Sequence, residues 1–324
     1  MLRHILVILV LGAALPCGCS LVDEDRSHCE VPFQLHYRVE GEPRFEAELA
    51  HVLGDPSQHE MQQLLRAYLQ RILPDQASSL DLSFYDAAVP CPLLLHLQET
   101  MNGGKRDFTY TMPIHDYRHT AAAFTGSSPS VTLEDADVRE SARLVHAVSE
   151  GKAVPHTAGL LTARKDFSVK GVGDRSVDVP LYMANSASAL VLDMSGAGTD
   201  VRSVSVMVSG AATEFLLADS TYVFTPQALV MTDELVSADG LTKGFASVHF
   251  PSEAAGWAWK AHVTMRDGKV NESVLHMTEP LLPGVLKVLC AKVTDTGVVT
   301  PDDMAVAVTI TLDWDPGLDM EVPL

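Results

Sequence analysis

Between Val177 and Trp314 the chain repeats one pattern: a short run of β-branched, aliphatic or aromatic residues, closed by Gly, Pro, Asp, Asn or Ser. VDVPLYM (Val177–Met183), SALVLDM (Ser188–Met194), VRSVSVMVSG (Val201–Gly210), STYVFTP (Ser220–Pro226) and FASVHFP (Phe245–Pro251) all follow it. WAWKAHVTM (Trp257–Met265) and KVNESVLHM (Lys269–Met277) flank Arg266, Asp267 and Gly268, and the Asp-Gly pair signals a hairpin. VLKVLCAKV (Val285–Val293) and MAVAVTITLDW (Met304–Trp314) complete the series. Short strands with regular turns predict an antiparallel β-sandwich. Amphipathic helices do not alternate with these strands, which argues against a parallel βαβ sheet.

The first half carries strands and one clear helix. FQLHYRV (Phe33–Val39) alternates Phe33, Leu35, Tyr37 and Val39 on one face. Ser57 and Glu60 have the spacing of a capping box, and Met61, Leu64, Leu65, Tyr68, Leu69 and Ile72 then recur at helical spacing until Pro74. Such a stripe is the core face of an amphipathic helix laid on a sheet. LDLSFYD (Leu80–Asp86), LLLHLQETM (Leu93–Met101), KRDFTYTM (Lys105–Met112) and TAAAF (Thr120–Phe124) read as strands, with Asn102–Gly104 as a hairpin turn. DADVRESARLVHA (Asp135–Ala147) has the spacing of a helix with a thin apolar face. Patterning lapses around Gly151–Pro155. The expected division is therefore an N-terminal sandwich with one amphipathic helix at 33–160 and a C-terminal sandwich at 161–324, with the junction inside 150–175.

The N-terminus points to export. Arg3 and His4 precede an apolar run from Ile5 to Leu15, and Gly18 precedes Cys19. A basic start, a short apolar stretch and a small residue at the cut describe a secretory signal over residues 1–18. The run is too short to span a bilayer, which takes roughly 20 apolar residues. A cysteine directly after a small residue is where lipoprotein signal peptidases cut, so Cys19 is the expected lipid attachment site and first mature residue. Pro16 stands where leucine is usual, and Cys17 is a poorer candidate because Pro16 would precede its scissile bond. The alternative is an ordinary signal peptide with incidental cysteines. SLVDEDRSH (Ser20–His28) then forms the acidic tether of a lipidated N-terminal segment at 19–32, or a sorting signal for the outer face of an outer membrane.

Charge narrows the partners. Once Arg3 leaves with the signal, 22 basic residues face 42 acidic ones, a formal charge of −20. Such a surface repels nucleic acid. It does not oppose the anchor, because one acyl chain of about 16 carbons contributes on the order of 12 kcal/mol. Surface charge, by contrast, acts only within a Debye length of about 8–10 Å.

Of the five cysteines, Cys29, Cys91 and Cys290 remain after processing, an odd number that allows at most one disulfide. His115 and His119 in HDYRH lack the glutamate of a zinc-protease motif, and on a strand they would stand about 13 Å apart. They are read as surface or hydrogen-bonding histidines. GxSxG and GxGxxG are absent. No residue set stands out as catalytic or metal-binding, so the chain reads as a non-enzyme without metal or cofactor. NES (Asn271–Ser273) and DST (Asp219–Thr221) have glycosylation-like spacing, and the second also suits a polar strand entry.

The chain also resembles a known family, the FimB-like lipid-anchored fimbrial anchor subunits of type V pili. The resemblance rests on LVDEDRSHC (Leu21–Cys29), LDLSFYD (Leu80–Asp86), YTMPIHDYRHTAAA (Tyr110–Ala123) and HTAGLLTAR (His156–Arg164). It continues through LYMANSASALV (Leu181–Val191), DSTYVF (Asp219–Phe224), EPLLPGVLKVLCAKVTDTGVV (Glu279–Val299) and VTITLDWDPG (Val308–Gly317). It implies two transthyretin-like β-sandwich domains and a place at the base of a fimbrium, on the cell outer membrane and exposed at the surface. It further implies a palmitate-type anchor on Cys19, pilin subunits as partners through strand addition, and an arrest of fibre growth. GLDMEVPL (Gly317–Leu324) is a candidate donor strand under that reading. A second class, an adhesin or glycan-binding lipoprotein of the same sandwich fold, would need an exposed aromatic platform. Trp257 and Trp259 share one strand face and are the candidates for it, against the commoner fate of core packing.

Overall fold

Phe33, Leu35 and Tyr37 alternate along the first strand and are each at most 2% exposed, so one of its faces is wholly core. In the computed structural model, which describes residues 29–40, 45–74, 76–101, 104–252, 256–302 and 306–313, this is β1 (Glu30–Glu40). Two helices follow, α1 (Phe45–Val52) and α2 (His59–Ile72). Next come β2 (Ser79–Asp86), β3 (Leu93–Thr100), β4 (Asp107–Pro113) and β5 (Asp116–Phe124). Shorter strands lead to the middle of the chain: β6 (Val131–Glu134), β7 (Arg143–His146), β8 (Val148–Ser149) and β9 (Lys152–Ala153). Two long ones, β10 (Leu160–Ser168) and β11 (Ser176–Met183), precede β12 (Ser186–Asp193) and β13 (Val201–Ser209). Then come β14 (Glu214–Leu216), β15 (Thr221–Val223), β16 (Leu229–Met231), β17 (Asp233–Val236) and β18 (Thr242–His249). The last are β19 (Ala258–Met265), β20 (Val270–His276), β21 (Leu286–Val293), β22 (Val299–Pro301) and β23 (Ala307–Thr311).

The mainly β sandwich architecture read from the strand runs is what forms. The first sheet has the order β3-β2-β5-β10-β11-β1-β4. β1 runs parallel to β11, from Gln34↔Ser176 to Glu40↔Tyr182, and antiparallel to β4, from Glu30↔Pro113 to His36↔Asp107. The sheet curls so that its two edge strands approach, Tyr110 Oη on β4 donating to Glu99 Oε1 on β3 at 3.1 Å. Inside the curl lie Phe33, Leu35, Tyr37, Phe84, Phe108 and Tyr117.

The second body has two facing sheets. One has the order β23-β20-β19-β13-β16-β9-β8, the other β17-β18-β12-β21-β22. Between them pack Leu190, Val206, Phe245, Trp257, Trp259 and Leu289. The outer face of the five-stranded sheet is covered by the helices. Met61, Leu65, Tyr68 and Leu69 of α2 and Leu49 of α1 rest on Ala189, Val191, Ala246, Val248 and Val288. Alanine at two of these strand positions lets the helix backbone come close, and the buried stripe is the one the spacing predicts. A fourth sheet, β15-β14-β7-β6, packs Leu144 and Phe215 against Ala122, Leu160 and Phe250 and joins the two bodies.

Several expectations change on contact with the structure. The helix lies within the first 160 residues but caps the sheet of the second body. The capping box does not form: Asp55 Oδ1 accepts from Ser57 N at 2.8 Å, and Pro56–Gln58 makes a 3-10 turn before α2. Glu60 Oε1 instead accepts from Ala238 N at 2.8 Å, across to the loop that joins β17 to β18. α1, eight residues long with only Phe45 and Leu49 buried, leaves too short a stripe to show in the sequence. Residues 135–142 form turns, and Arg143–His146 is a strand rather than the end of a helix. The junction expected at 160/161 falls at the start of β10, yet β10 and β11 both belong to the first sheet. By sheet membership the first body runs on to Met183. The sequence pattern is blind to this, because β10 and β11 look the same whichever sheet they join.

Candidate functional site

Strand alternation places Phe33, Leu35 and Tyr37 against the first core, and β1 is bonded along both edges, so it fills an internal seat near the edge of its sheet. The seat ends in a polar lock. Tyr37 Oη lies 2.8 Å from His119 Nε2, and His119 Nδ1 lies 2.9 Å from the Ser83 carbonyl. A carbonyl only accepts, so Nδ1 carries the proton and Nε2 accepts from the tyrosine hydroxyl. His119 also stacks on Phe84 at 4.5 Å. Burial holds His119 down at about 4, keeping it neutral, and pushes the Tyr37 hydroxyl well above its ordinary value. Phe33 adds a stacked contact with Phe167 at 5.3 Å. Burying three such side chains contributes roughly 5–8 kcal/mol to holding the strand in place.

A second polar cluster sits where the bodies join. Asn185 Oδ1 accepts from Leu160 N at 2.7 Å, and its Nδ2 reaches Ala158 O at 3.1 Å and His156 Nδ1 at 3.0 Å. His146 donates from Nε2 to Val154 O at 2.7 Å, and its ring is 4.4 Å from that of His156. His249 donates from Nδ1 to Phe250 O at 2.6 Å and accepts from Ser188 Oγ at 3.0 Å. Burial lowers all three, His249 to about 4, and the three rings stay neutral. Neither this cluster nor the tyrosine lock was legible as a unit, because its members are scattered along the sequence.

An open groove of about 600 Å³ runs along the side of β13. Only Met207 and Val208 of β13 pair with β16, so the stretch 201–205 has one strand edge without a neighbouring strand among the described residues. Below that edge lie Val204, Val206 and Phe245, and above it Ser205, Lys260, His262 and Glu272. His262 Nε2 is 2.7 Å from Glu272 Oε2, and this bond lowers the Glu272 carboxyl below its ordinary value. The volume lies within the range of small-ligand sites.

The residues picked out from sequence fare differently. Gly18 and Cys19 lie outside the described residues, as does the candidate donor Gly317–Leu324. Trp257 and Trp259 are 1% and 0% exposed, their rings 4.7 Å apart in the second core, and Trp257 Nε1 donates to Glu279 O at 2.7 Å. They do not form an exposed platform, because the face they share is the one turned toward the opposite sheet. His119 is a hydrogen-bonding core histidine, and His115 pairs with Asp86 at 3.0 Å. Asn271 is buried, donating to Thr296 O at 2.7 Å and accepting from Asp313 N at 3.0 Å, so it offers no glycosylation acceptor. Cys29, Cys91 and Cys290 are all free thiols.

No protein-family model matches this sequence, and no curated protein matches it by sequence. Solved structures do share the fold. A candidate adhesin from Bacteroides ovatus is 10% identical with a TM-score of 0.56, covering 90% of this chain and 97% of its own. A candidate polysaccharide-binding protein from Bacteroides thetaiotaomicron is 9% identical with a TM-score of 0.56, over 83% and 94% of the two chains. The fimbrial anchor protein Mfa2 of Porphyromonas gingivalis is 11% identical over 87% and 99%, with a TM-score of 0.48, a likeness too slight to carry an argument. At these identities the likeness establishes the fold and nothing finer.

Proposed function

We propose that this chain is the membrane-anchored base subunit of a fimbrium, held through an acylated Cys19 and joined to pilin subunits by strand addition. The observation that carries the reading is the seat of β1. In assembly by strand addition, a subunit can accept a neighbour's strand only where its own sheet has a vacant, hydrophobic-lined position. The pairing of β1 on both edges, with three core side chains inserted, supports the reading that the chain's own first strand fills that position. A filled seat gives a subunit that ends a fibre, and it lies just after the segment that the anchor reading places at the membrane.

Replacing Cys19 by Ala tests the reading. Pili released from cells into the medium, longer than those of the parent, are the expected result. Pili that stay on cells at normal length would overturn it. The donor role of Gly317–Leu324 has its own test: deletion should abolish attachment of the shaft, and unchanged attachment would remove that segment from the account.

A second reading, an adhesin that binds glycan, is favoured by one feature, the groove beside β13 with Ser205, Lys260 and His262 on its polar wall. Glycan-array binding that is lost in Lys260→Ala would move the assignment to that class. The tryptophans play no part in it.

A further inference from the structure

Four chain segments meet at one pole of the first sheet, the end where β1 begins. These are the loop 87–92, the β4–β5 corner at 114–115, the loop 169–175, and Cys29, where the described chain enters β1. Backbone bonds tie them together: Ile114 N donates to Cys29 O at 2.9 Å, Ala87 N to Asp116 O at 3.0 Å, and His115 and Val169 exchange bonds of 3.1 and 2.8 Å. The loops that project from this pole carry Val89, 89% exposed, and Val172, 84% exposed, the two most exposed large hydrophobic side chains among the described residues. Single exposed apolar residues are ordinary, but the two loops that carry these come together: Ala87 and Ala88 of one and Val169 and Lys170 of the other line a single open cavity with Ile114 and His115. The loops behind them are braced, since Asp86 Oδ1 accepts from Ala88 N at 2.7 Å and Arg175 Nη2 donates to Gly171 O at 3.1 Å.

The position of Cys29 says what covers this face. Nine residues, Ser20–His28, separate it from Cys19, so the pole can stand no more than about 35 Å from an acylated Cys19. A tether that short holds the pole at a high effective concentration over the bilayer, where weak apolar contacts suffice. We propose that this pole is a membrane-facing surface, with the Val89 and Val172 loops resting in the headgroup layer of the bilayer that holds the lipid anchor. The proposal rests on the reading of Cys19 as acylated. The pole carries Glu30, Asp86, Asp116 and Asp174 against Lys170 and Arg175, so charge does not draw it to anionic lipid and the contact is apolar.

The test uses the full acylated chain in vesicles of phosphatidylcholine and phosphatidylethanolamine, read by hydrogen exchange. Peptides covering residues 86–92 and 168–175 should exchange several-fold more slowly than in Cys19→Ala protein mixed with the same vesicles. Loops of the second body, such as 237–241, should be unchanged. In an acylated Val89→Glu, Val172→Glu double variant with an unaltered melting temperature, the slowing should disappear. Equal exchange with and without the anchor, slowing that survives the double variant, or slowing that appears only when pilin is added would each overturn the proposal while leaving acylation intact. An intact mass without acyl chains would bring down the anchor reading and this one together.

Discussion

Tyr37 and His119 form a hydrogen bond between two side chains that are each 0% exposed. Tyr37→Phe keeps the ring and the packing but leaves the buried His119 Nε2 without its partner. The expected cost is about 1–3 kcal/mol, measured by urea unfolding of the mature chain. A variant as stable as the parent would show that the bond is not what holds β1. The buried histidines make a second prediction. His119 and His249 sit at about 4 and His156 well below its ordinary 6.5, so the folded chain binds fewer protons than the unfolded chain between those values. Stability from these groups is therefore complete above about pH 6.5 and falls as pH drops toward 4, by up to roughly 3 kcal/mol for a group shifted this far. Melting temperatures should be flat on the alkaline side of that window and fall steadily within it. A flat profile down to pH 4.5 would contradict the neutral, buried assignment.

At the scale of elements, α2 is the piece whose role is most exposed to test. Leu65 is 0% exposed beneath the helix and packs on the five-stranded sheet. Leu65→Ala should cost about 2–5 kcal/mol in thermal or denaturant unfolding, through the lost contact and the cavity left behind. A loss below 1 kcal/mol would mean that the helix is only loosely seated. The stripe that buries Leu65 was fully legible in the sequence, because a period of 3.6 residues is a local property. The sheet it covers was not, since β12, β18 and β21 lie more than a hundred residues onward. The same split runs through the rest. Alternation revealed β1 as a strand but not its parallel partner β11, some 140 residues away. Trp257 and Trp259 could be assigned to one face by their spacing, yet spacing cannot say whether a face looks inward. Ser57 and Glu60 matched a cap in letters, but Pro56 starts a 3-10 turn that shifts the helix start past the serine.

For the molecule as a whole, the two bodies are not beads on a string. The chain leaves β1 at Glu40, crosses to lay both helices on the second body, and returns to build the first sheet. One consequence concerns force. Tension applied at Cys29 and resisted by the second body acts along β1, roughly parallel to its seven-residue alignment with β11. The hydrogen bonds of that pair are then strained side by side in shear, where many must fail together, instead of being peeled apart one at a time. Such a joint resists load along its strands far better than load across them.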